Sequence, residues 1–116
     1  MSAATPDAPK AVMIYDVTIR PEAEQDLQTI YDLIAEDNPS AAIAFIRRLR
    51  ELCRSLDALP RRGVPRDDLR PGLRILGVER RAVIAYRIVG NVVEVTNIFY
   101  GGRDYEAILR RLNEPE

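Results

Sequence analysis

The sequence has no histidine and no tryptophan, only one cysteine (Cys53) and only one lysine (Lys10). A single cysteine excludes an internal disulfide and a zinc site built from several cysteines. The lack of histidine excludes Ser-His-Asp and Cys-His catalysis, together with the commonest metal ligand. Any catalysis would have to use Arg, Lys, Tyr, Asp, Glu or Ser, and we predict neither a metal nor another cofactor.

Long apolar runs are also absent, and every run falls far short of the ~18 residues that a membrane-spanning helix needs. The first eleven residues, MSAATPDAPKA, lack the basic start and apolar stretch of a secretory signal. We therefore predict a cytoplasmic protein without membrane contact. A disordered lead-in is expected over 1–11, a single domain over 12–112 and a tail over 113–116.

Charge is distributed unevenly along the chain. Residues 1–42 hold two basic and eight acidic side chains, whereas residues 43–111 hold fifteen arginines and eight acidic side chains. Arginine favours bidentate contact with carboxylate or phosphate groups. The second part of the chain is therefore expected to meet an acidic partner, or simply to carry a surface of mixed charge.

Two helices are predicted in the first half of the chain, after a strand at Val12–Arg20. Pro21 suits the first position of a helix, and the apolar spacing that follows extends to about Asp37. Asn38-Pro39 is typical of an N-cap followed by a first helical residue, and the second helix is expected to reach about Leu59. Because the connection is so short, the two helices must form an antiparallel hairpin.

Three strands are predicted in the second half, at Leu73–Val78, Arg80–Val89 and Val92–Tyr100. Gly90-Asn91 is the kind of pair that closes a tight β-hairpin. A short helix is expected at Arg103–Leu112. The order β-α-α-β-β-β plus a short C-terminal helix indicates an α+β fold, with the helical hairpin packed on a mainly antiparallel sheet.

The segment Pro60–Arg74, PRRGVPRDDLRPGLR, joins the helical hairpin to the sheet. Its prolines oppose regular structure and its glycines permit tight turns. Neither flank could fold alone, so the segment is expected to be an ordered bridge within one domain. Leu69, Leu73 and Val64 are predicted to point inward.

Four stretches, in this order, resemble the ParE/RelE superfamily of bacterial type II toxins, and the ParE branch most closely. They are IRPEAEQDLQTIYDLIAEDNPSAAIAFIRRL, LPRRGVPRDDLRPGLR, RRAVIAYRI and NIFYGGRDY. Together they cover nearly everything from Tyr15 to Leu112. The resemblance implies a helical hairpin against a curved, mainly antiparallel sheet, in agreement with the pattern of elements.

The resemblance also implies a partner and a target. Members are silenced by a cognate antitoxin whose C-terminal segment wraps the toxin, here a ParD-like antitoxin in a hetero-oligomer. ParE-like toxins poison DNA gyrase without chemistry of their own, whereas RelE-like toxins cut messenger RNA on the ribosome.

Five residues match, or lie near, positions that carry function in RelE-like enzymes: Arg74, Arg81, Arg103, Tyr100 and Tyr105. RelE-like enzymes carry a pair of lysines on the sheet. Arg74 stands at one of these two positions, and Leu76 stands at the other. Arginine is a poor general base because its pKa lies above ~12. Metal-free RNA cleavage needs a base and an acid as well as cations, so the gyrase inhibitor is favoured over the ribonuclease.

Two alternatives remain open: a ribosome-dependent endoribonuclease that uses these five residues, and a non-toxic module that only binds antitoxin. In the favoured interpretation Arg74, Arg81, Arg103 and Tyr105 contact the antitoxin or the target. Each arginine also has a structural interpretation. These are pairing of Arg81 with Glu79, pairing of Arg74 with Asp67 or Asp68, and a helix start at Arg103-Asp104.

Other conspicuous side chains are interpreted structurally. Tyr31, Phe45 and Cys53 lie on apolar helix faces and are predicted to belong to the core. Glu22 and Asp26 are one helical turn apart, as an acid–base pair could be, but a solvated helix face is the favoured interpretation.

Overall fold

The computed structural model describes residues 14–113, which form five strands and three helices. The strands are β1 (Asp16–Ile19), β2 (Val64–Pro65), β3 (Leu73–Val78), β4 (Ala82–Val89) and β5 (Val92–Tyr100). The helices are α1 (Pro21–Ala35), α2 (Pro39–Ser55) and α3 (Tyr105–Asn113). The predicted lead-in over 1–11, the first two residues of the predicted first strand and most of the predicted tail lie outside the described residues. Within them, no helix is long and apolar enough to cross a membrane.

Both long helices begin at a proline, as the sequence predicts. The side chain of Asn38 accepts a hydrogen bond from the backbone N–H of Ala41 at 3.0 Å, so it is the N-cap of α2. The helix ends at Ser55, earlier than the predicted end near Leu59. The apolar pattern predicts too long a helix, because Leu56 is buried like a helix-face residue although it lies just beyond the helix.

The five strands form one sheet in the order β1-β5-β4-β3-β2. All neighbours are antiparallel except β1 and β5, which are parallel, with Asp16 opposite Val92 and Ile19 opposite Val95. The predicted α+β fold with a mainly antiparallel sheet is therefore confirmed. β1 is shorter than the predicted strand, and β2 is a two-residue edge strand within the segment expected to lack regular structure.

A β-bulge interrupts β5. Asn97 lies opposite Ala85 and Val95 lies opposite Tyr86, so Thr96 is the extra residue. Because the bulge shifts the alternation by one residue, Val95 and Ile98 both pack toward the helical hairpin. The hydroxyl of Thr96 donates to the carbonyl oxygen of Ala85 at 3.3 Å.

The core has a larger and a smaller part, one on each face of the sheet. The larger lies between the sheet and the hairpin and includes Phe45 and Cys53, with Tyr31 only half-buried. The smaller lies under α3 and includes the predicted inward residues Leu69 and Leu73. The prediction for Val64 is wrong: it is 63% exposed, because it lies on the edge strand.

Asp26 does not lie on a solvated helix face, contrary to the prediction. Its Oδ2 atom accepts a hydrogen bond from the backbone N–H of Ile98 at 2.8 Å. β1 ends opposite Val95, so this part of β5 has no neighbouring strand on that side, and the carboxylate satisfies the N–H instead. Burial raises the pKa of Asp26, while the bond from Ile98 and the charge of Arg103 act in the opposite direction. Glu22 is exposed.

Candidate functional site: a basic depression at one end of the sheet

A depression of about 200 Å³ lies where the β3–β4 turn meets the end of β5. We call this region the turn end of the sheet. Four of the five predicted site residues line it, namely Arg81, Tyr100, Arg103 and Tyr105. The other lining residues are Gly77, Arg80, Ala82, Val83, Phe99 and Gly102. The cationic and phenolic groups thus surround an apolar floor.

Arg81 is held in place by aromatic rings. Its guanidinium carbon lies 4.3 Å from the ring centroid of Phe45, and its Nη2 atom donates to the hydroxyl of Tyr100 at 3.1 Å. Such cation–π contacts contribute ~0.5–1 kcal/mol at exposed sites. The predicted pair with Glu79 exists, but only at 3.9 Å. Arg48 binds Glu79 more closely, at 2.7 and 3.1 Å, and this bond lowers the pKa of the Glu79 carboxyl.

The turn between β3 and β4 has an unusual backbone. Glu79 and Arg80 both have positive φ angles, 53° and 56°, which glycine adopts most readily. The connection has three residues, and the backbone N–H of Arg81 donates to the carbonyl oxygen of Val78 at 2.9 Å across the two residues with positive φ. A turn of this hand matches the twist of the strands. Non-glycine residues in this region cost of order 1–3 kcal/mol each and persist where the surroundings enforce them. The bidentate contact from Arg48 holds Glu79 in this conformation. The turn has no glycine or asparagine at these two positions, so the sequence does not indicate its positive φ angles.

Arg103 follows the turn formed by Gly101 and Gly102, whose φ angles are both 75°. The Oδ1 atom of Asp104 accepts a hydrogen bond from the N–H of Ala107 at 3.1 Å, so the predicted helix-start role of this acid is confirmed. Arg103 itself is exposed and forms no salt bridge within residues 14–113. Its charge is therefore available to a partner.

Arg74 does not join this group, and it does not clamp Asp67 or Asp68. Its Nη1 atom donates to the carbonyl oxygens of Gly63 at 2.7 Å and Arg61 at 3.1 Å. Arg74 lies near the start of β3, away from the turn end, and acts as a structural donor to the bridge segment. We call this region the loop end of the sheet.

Tyr86 completes the loop end, and sequence reasoning missed it. Its side chain is fully buried, and its hydroxyl accepts from the N–H of Gly63 at 2.7 Å and donates to the carbonyl oxygen of Pro60 at 2.8 Å. Burial raises the pKa of this phenol, so it stays protonated. A β-carbon on Gly63 would lie 2.8 Å from the ring of Tyr86. A tyrosine within an apolar strand indicates a core ring but not the partner of its hydroxyl.

The turn-end depression has cations and phenols but no carboxylate or histidine among its lining residues. It could stabilise negative charge, but it lacks a ready general base. Cys53 is no substitute, because burial raises the pKa of its thiol to about 11. Within residues 14–113, no group of three or more His, Cys, Asp or Glu side chains could hold a metal ion.

Residues 17–105 match the family model described as ParE toxin of type II toxin–antitoxin system, parDE. The chain belongs to the ParE toxin family. This ParE-family chain is 35% identical over 85 residues to Toxin ParE3 of Caulobacter vibrioides, and the match covers 72% of the chain and 84% of that relative. The resemblance to the ParE branch is thereby confirmed.

The fold of this ParE-family chain also matches a solved structure described as the chromosomal ParDE TA system from P. aeruginosa. The TM-score is 0.66 at 23% identity, and the match covers 76% of this chain and 97% of the other. At that identity the likeness concerns the fold. It agrees with the β-α-α-β-β-β-α order described above.

Proposed function

We propose that this ParE-family toxin inhibits DNA gyrase and is neutralised by a ParD-like antitoxin. The main support is the turn-end depression, which is lined by Arg80, Arg81 and Arg103 and has no carboxylate among its lining residues. Such a group can bind a negatively charged surface but lacks the base that RNA cleavage requires. In this proposal the protein acts in the cytoplasm, binds its target and performs no catalysis.

Both partners are expected to use the arginine-rich part of the chain. Arg103 and Tyr105 lie on the rim of the depression and are the proposed contacts for gyrase or the antitoxin. Arg81 is partly committed to Tyr100 and Phe45, so it contributes charge from a fixed position. Arg74 leaves the proposed contact set, since its guanidinium binds loop carbonyls.

The deciding experiment is supercoiling of relaxed plasmid by purified gyrase, titrated with this protein with and without its antitoxin. We expect inhibition, accumulation of linear DNA, and reversal by the antitoxin. Arg103→Ala should weaken inhibition, whereas Arg87→Ala, an exposed arginine outside the depression, should not. A protein that stops growth while gyrase activity stays normal at excess toxin would refute the proposal.

The endoribonuclease is the second candidate, favoured by the convergence of Arg81, Arg103, Tyr100 and Tyr105 on one depression. Primer extension on messenger RNA after induction would show cuts within codons, and Arg81→Ala with Arg103→Ala should abolish them. A non-toxic module would instead leave growth unchanged when the protein is induced without antitoxin. The three outcomes are mutually distinguishable.

A further inference from the structure

Positive φ angles are confined to glycine in residues 14–113, except in the turn between β3 and β4. The exceptions are Glu79, at 53°, and Arg80, at 56°. The other positions of this kind are Gly72, Gly90, Gly101 and Gly102. Glycine would adopt this conformation without the steric cost of a β-carbon. Charged side chains at both positions of the turn therefore indicate contacts that glycine could not make.

The side chains of Glu79 and Arg80 make different contacts. Arg80 lines the turn-end depression, whereas Glu79 does not. The Glu79 carboxylate instead accepts two hydrogen bonds from Arg48, from Nε at 2.7 Å and from Nη2 at 3.1 Å. Arg48 lies on α2, 31 positions earlier in the sequence, and it does not line the depression either. We call this ion pair the turn clamp, because it fastens α2 to the strained turn.

Glu79 also lies between the charges of two arginines. The guanidinium carbons of Arg48 and Arg81 lie 5.4 Å and 4.3 Å from the centroid of the same ring, that of buried Phe45. Two cations so close together repel each other. The Glu79 carboxylate offsets this repulsion, since its oxygens lie 2.7 Å from Arg48 and 3.9 Å from Arg81. Arg81 can therefore keep its bond to the hydroxyl of Tyr100 although a second arginine lies beside it.

We propose that Arg48 and Glu79 are positioning residues for target binding, because the turn clamp fixes Arg80 and Arg81 in the geometry that the target meets. This inference rests on the proposed function, in which the turn-end depression contacts gyrase. A site that is fixed before binding loses less conformational entropy when the partner arrives. Exposed ion pairs contribute little to global stability, so the loss of the clamp should weaken binding without unfolding the protein.

The first test is gyrase inhibition by Arg48→Ala, with Arg50→Ala as the matched control. Arg50 also lies on α2 and also makes a bidentate contact, to Glu24 at 2.8 and 3.1 Å, but that contact joins α2 to α1. Arg48→Ala should raise the half-inhibitory concentration about fivefold without changing the maximal inhibition, because it removes preorganisation only. Arg50→Ala should inhibit like the wild type. Equal shifts in the two variants would assign the effect to a general loosening of α2 and overturn the proposal.

Amide hydrogen exchange tests the clamp without gyrase. The N–H of Arg81 donates to the carbonyl oxygen of Val78 across the turn, and the N–H of Gly101 donates to the carbonyl oxygen of Arg81, both at 2.9 Å. These two amides should exchange about tenfold faster in Arg48→Ala and at the wild-type rate in Arg50→Ala. Unchanged exchange in the folded Arg48→Ala protein would refute the positioning role. A wild-type protein that does not inhibit gyrase would refute the proposed function instead, and the exchange rates would still decide whether Arg48 holds the turn.

A rescue experiment separates positioning from direct contact. Asparagine adopts positive φ angles more readily than glutamate and is favoured at the first position of such turns. The double variant Arg48→Ala with Glu79→Asn should therefore restore slow exchange at Arg81 and return the half-inhibitory concentration to within about twofold of the wild type. Slow exchange without recovered inhibition would show that Arg48 touches the target itself, and the positioning role would be wrong.

Discussion

The loop end and the turn end of the sheet use arginine and tyrosine in opposite ways. At the loop end, Arg74 and Tyr86 direct their polar atoms at backbone groups of the same chain. At the turn end, Arg103 remains exposed, and Tyr105 lines a depression without a carboxylate on its lining. The comparison shows that residue type alone does not separate an arginine that is bonded to its own chain from one that remains exposed. The two kinds of arginine are separated by the hydrogen bonds that each guanidinium already makes within the chain.

The sharpest test of this difference is steric. Gly63→Ala would place a β-carbon 2.8 Å from the ring and hydroxyl of buried Tyr86 and 3.0 Å from the carbonyl oxygen of Ile75. We expect a loss of about 3 kcal/mol of unfolding free energy, in the upper range for overpacking. Urea denaturation measures it.

Gly77→Ala at the turn end is the control, because a β-carbon at this position would have no neighbouring atom within 4 Å. It should be neutral or stabilise the protein by about 0.4–1 kcal/mol. Equal losses for the two alanine variants would remove the distinction between a tight loop end and an open turn end.

Removing a hydroxyl is the next largest change. Tyr86→Phe leaves the buried N–H of Gly63 and carbonyl of Pro60 without their partner, so a loss of about 2 kcal/mol is expected. Tyr100→Phe removes one bond to a partly exposed arginine and should cost less than about 1 kcal/mol. If the two hydroxyl deletions were equivalent in urea denaturation, the loop end would not be the more firmly held region.

Two arginines should separate stability from function. Arg74→Ala should lower the unfolding free energy by about 1 kcal/mol, because two loop carbonyls lose a charged donor. Arg103→Ala should change stability by less than about 0.5 kcal/mol, because it removes only an exposed charge near Asp26, and should weaken gyrase inhibition. Thermal unfolding and the supercoiling assay are run on both variants. The comparison would be contradicted if Arg103→Ala lowered the stability while Arg74→Ala weakened gyrase inhibition without a loss of stability.

The smallest effect concerns Asp26, which lies beside Arg103. Burial raises the pKa of its carboxyl above the ordinary 3.8, so the folded state holds the proton more tightly than the unfolded chain. Its contribution to stability therefore falls as the pH rises above 3.8. Asp26→Asn keeps an oxygen acceptor for the N–H of Ile98 without a charge.

We expect Asp26→Asn to gain less than about 1 kcal/mol at pH 7 and nothing below pH 3.8, where the native carboxyl is also neutral. Urea denaturation at the two pH values measures the difference. Glu24→Gln is the opposite control, since the bond from Arg50 lowers the pKa of Glu24 and its contribution is lost on acidification. A gain for Asp26→Asn that persisted in acid would show that charge is not its cause.

Local signals predicted most of the fold. Pro21, Asn38 and Pro39 set the helix starts, and the bounds of β3 and β5 agree with the strand pattern. The bulge at Thr96 also has a local signal, since the alternation of Val93 and Val95 breaks before Ile98, although the strand prediction did not include it. Arg81, Arg103, Tyr100 and Tyr105 were named from the sequence because they match, or lie near, positions that carry function in RelE-like toxins, and the fold brings all four to the turn end.

The remaining features depend on contacts between distant parts of the chain. Asp26 and Ile98 are 72 positions apart, and Tyr86 and Gly63 are 23 apart, so no local pattern indicates either bond. Arg74 resembled a site residue because its spacing matched a family position. Only the fold shows that the guanidinium of Arg74 donates to two loop carbonyls and does not line the turn-end depression.

The parallel pairing of β1 with β5 has a consequence for the timing of synthesis. Strand β1 (Asp16–Ile19) cannot pair until its partner residues in β5, Val92–Val95, have been synthesised. The sheet is therefore incomplete until most of the chain has left the ribosome. A nascent toxin therefore spends nearly the whole of its translation without its complete sheet. If the proposed antitoxin binds only the finished fold, it has to be present in the cell before the toxin's translation ends.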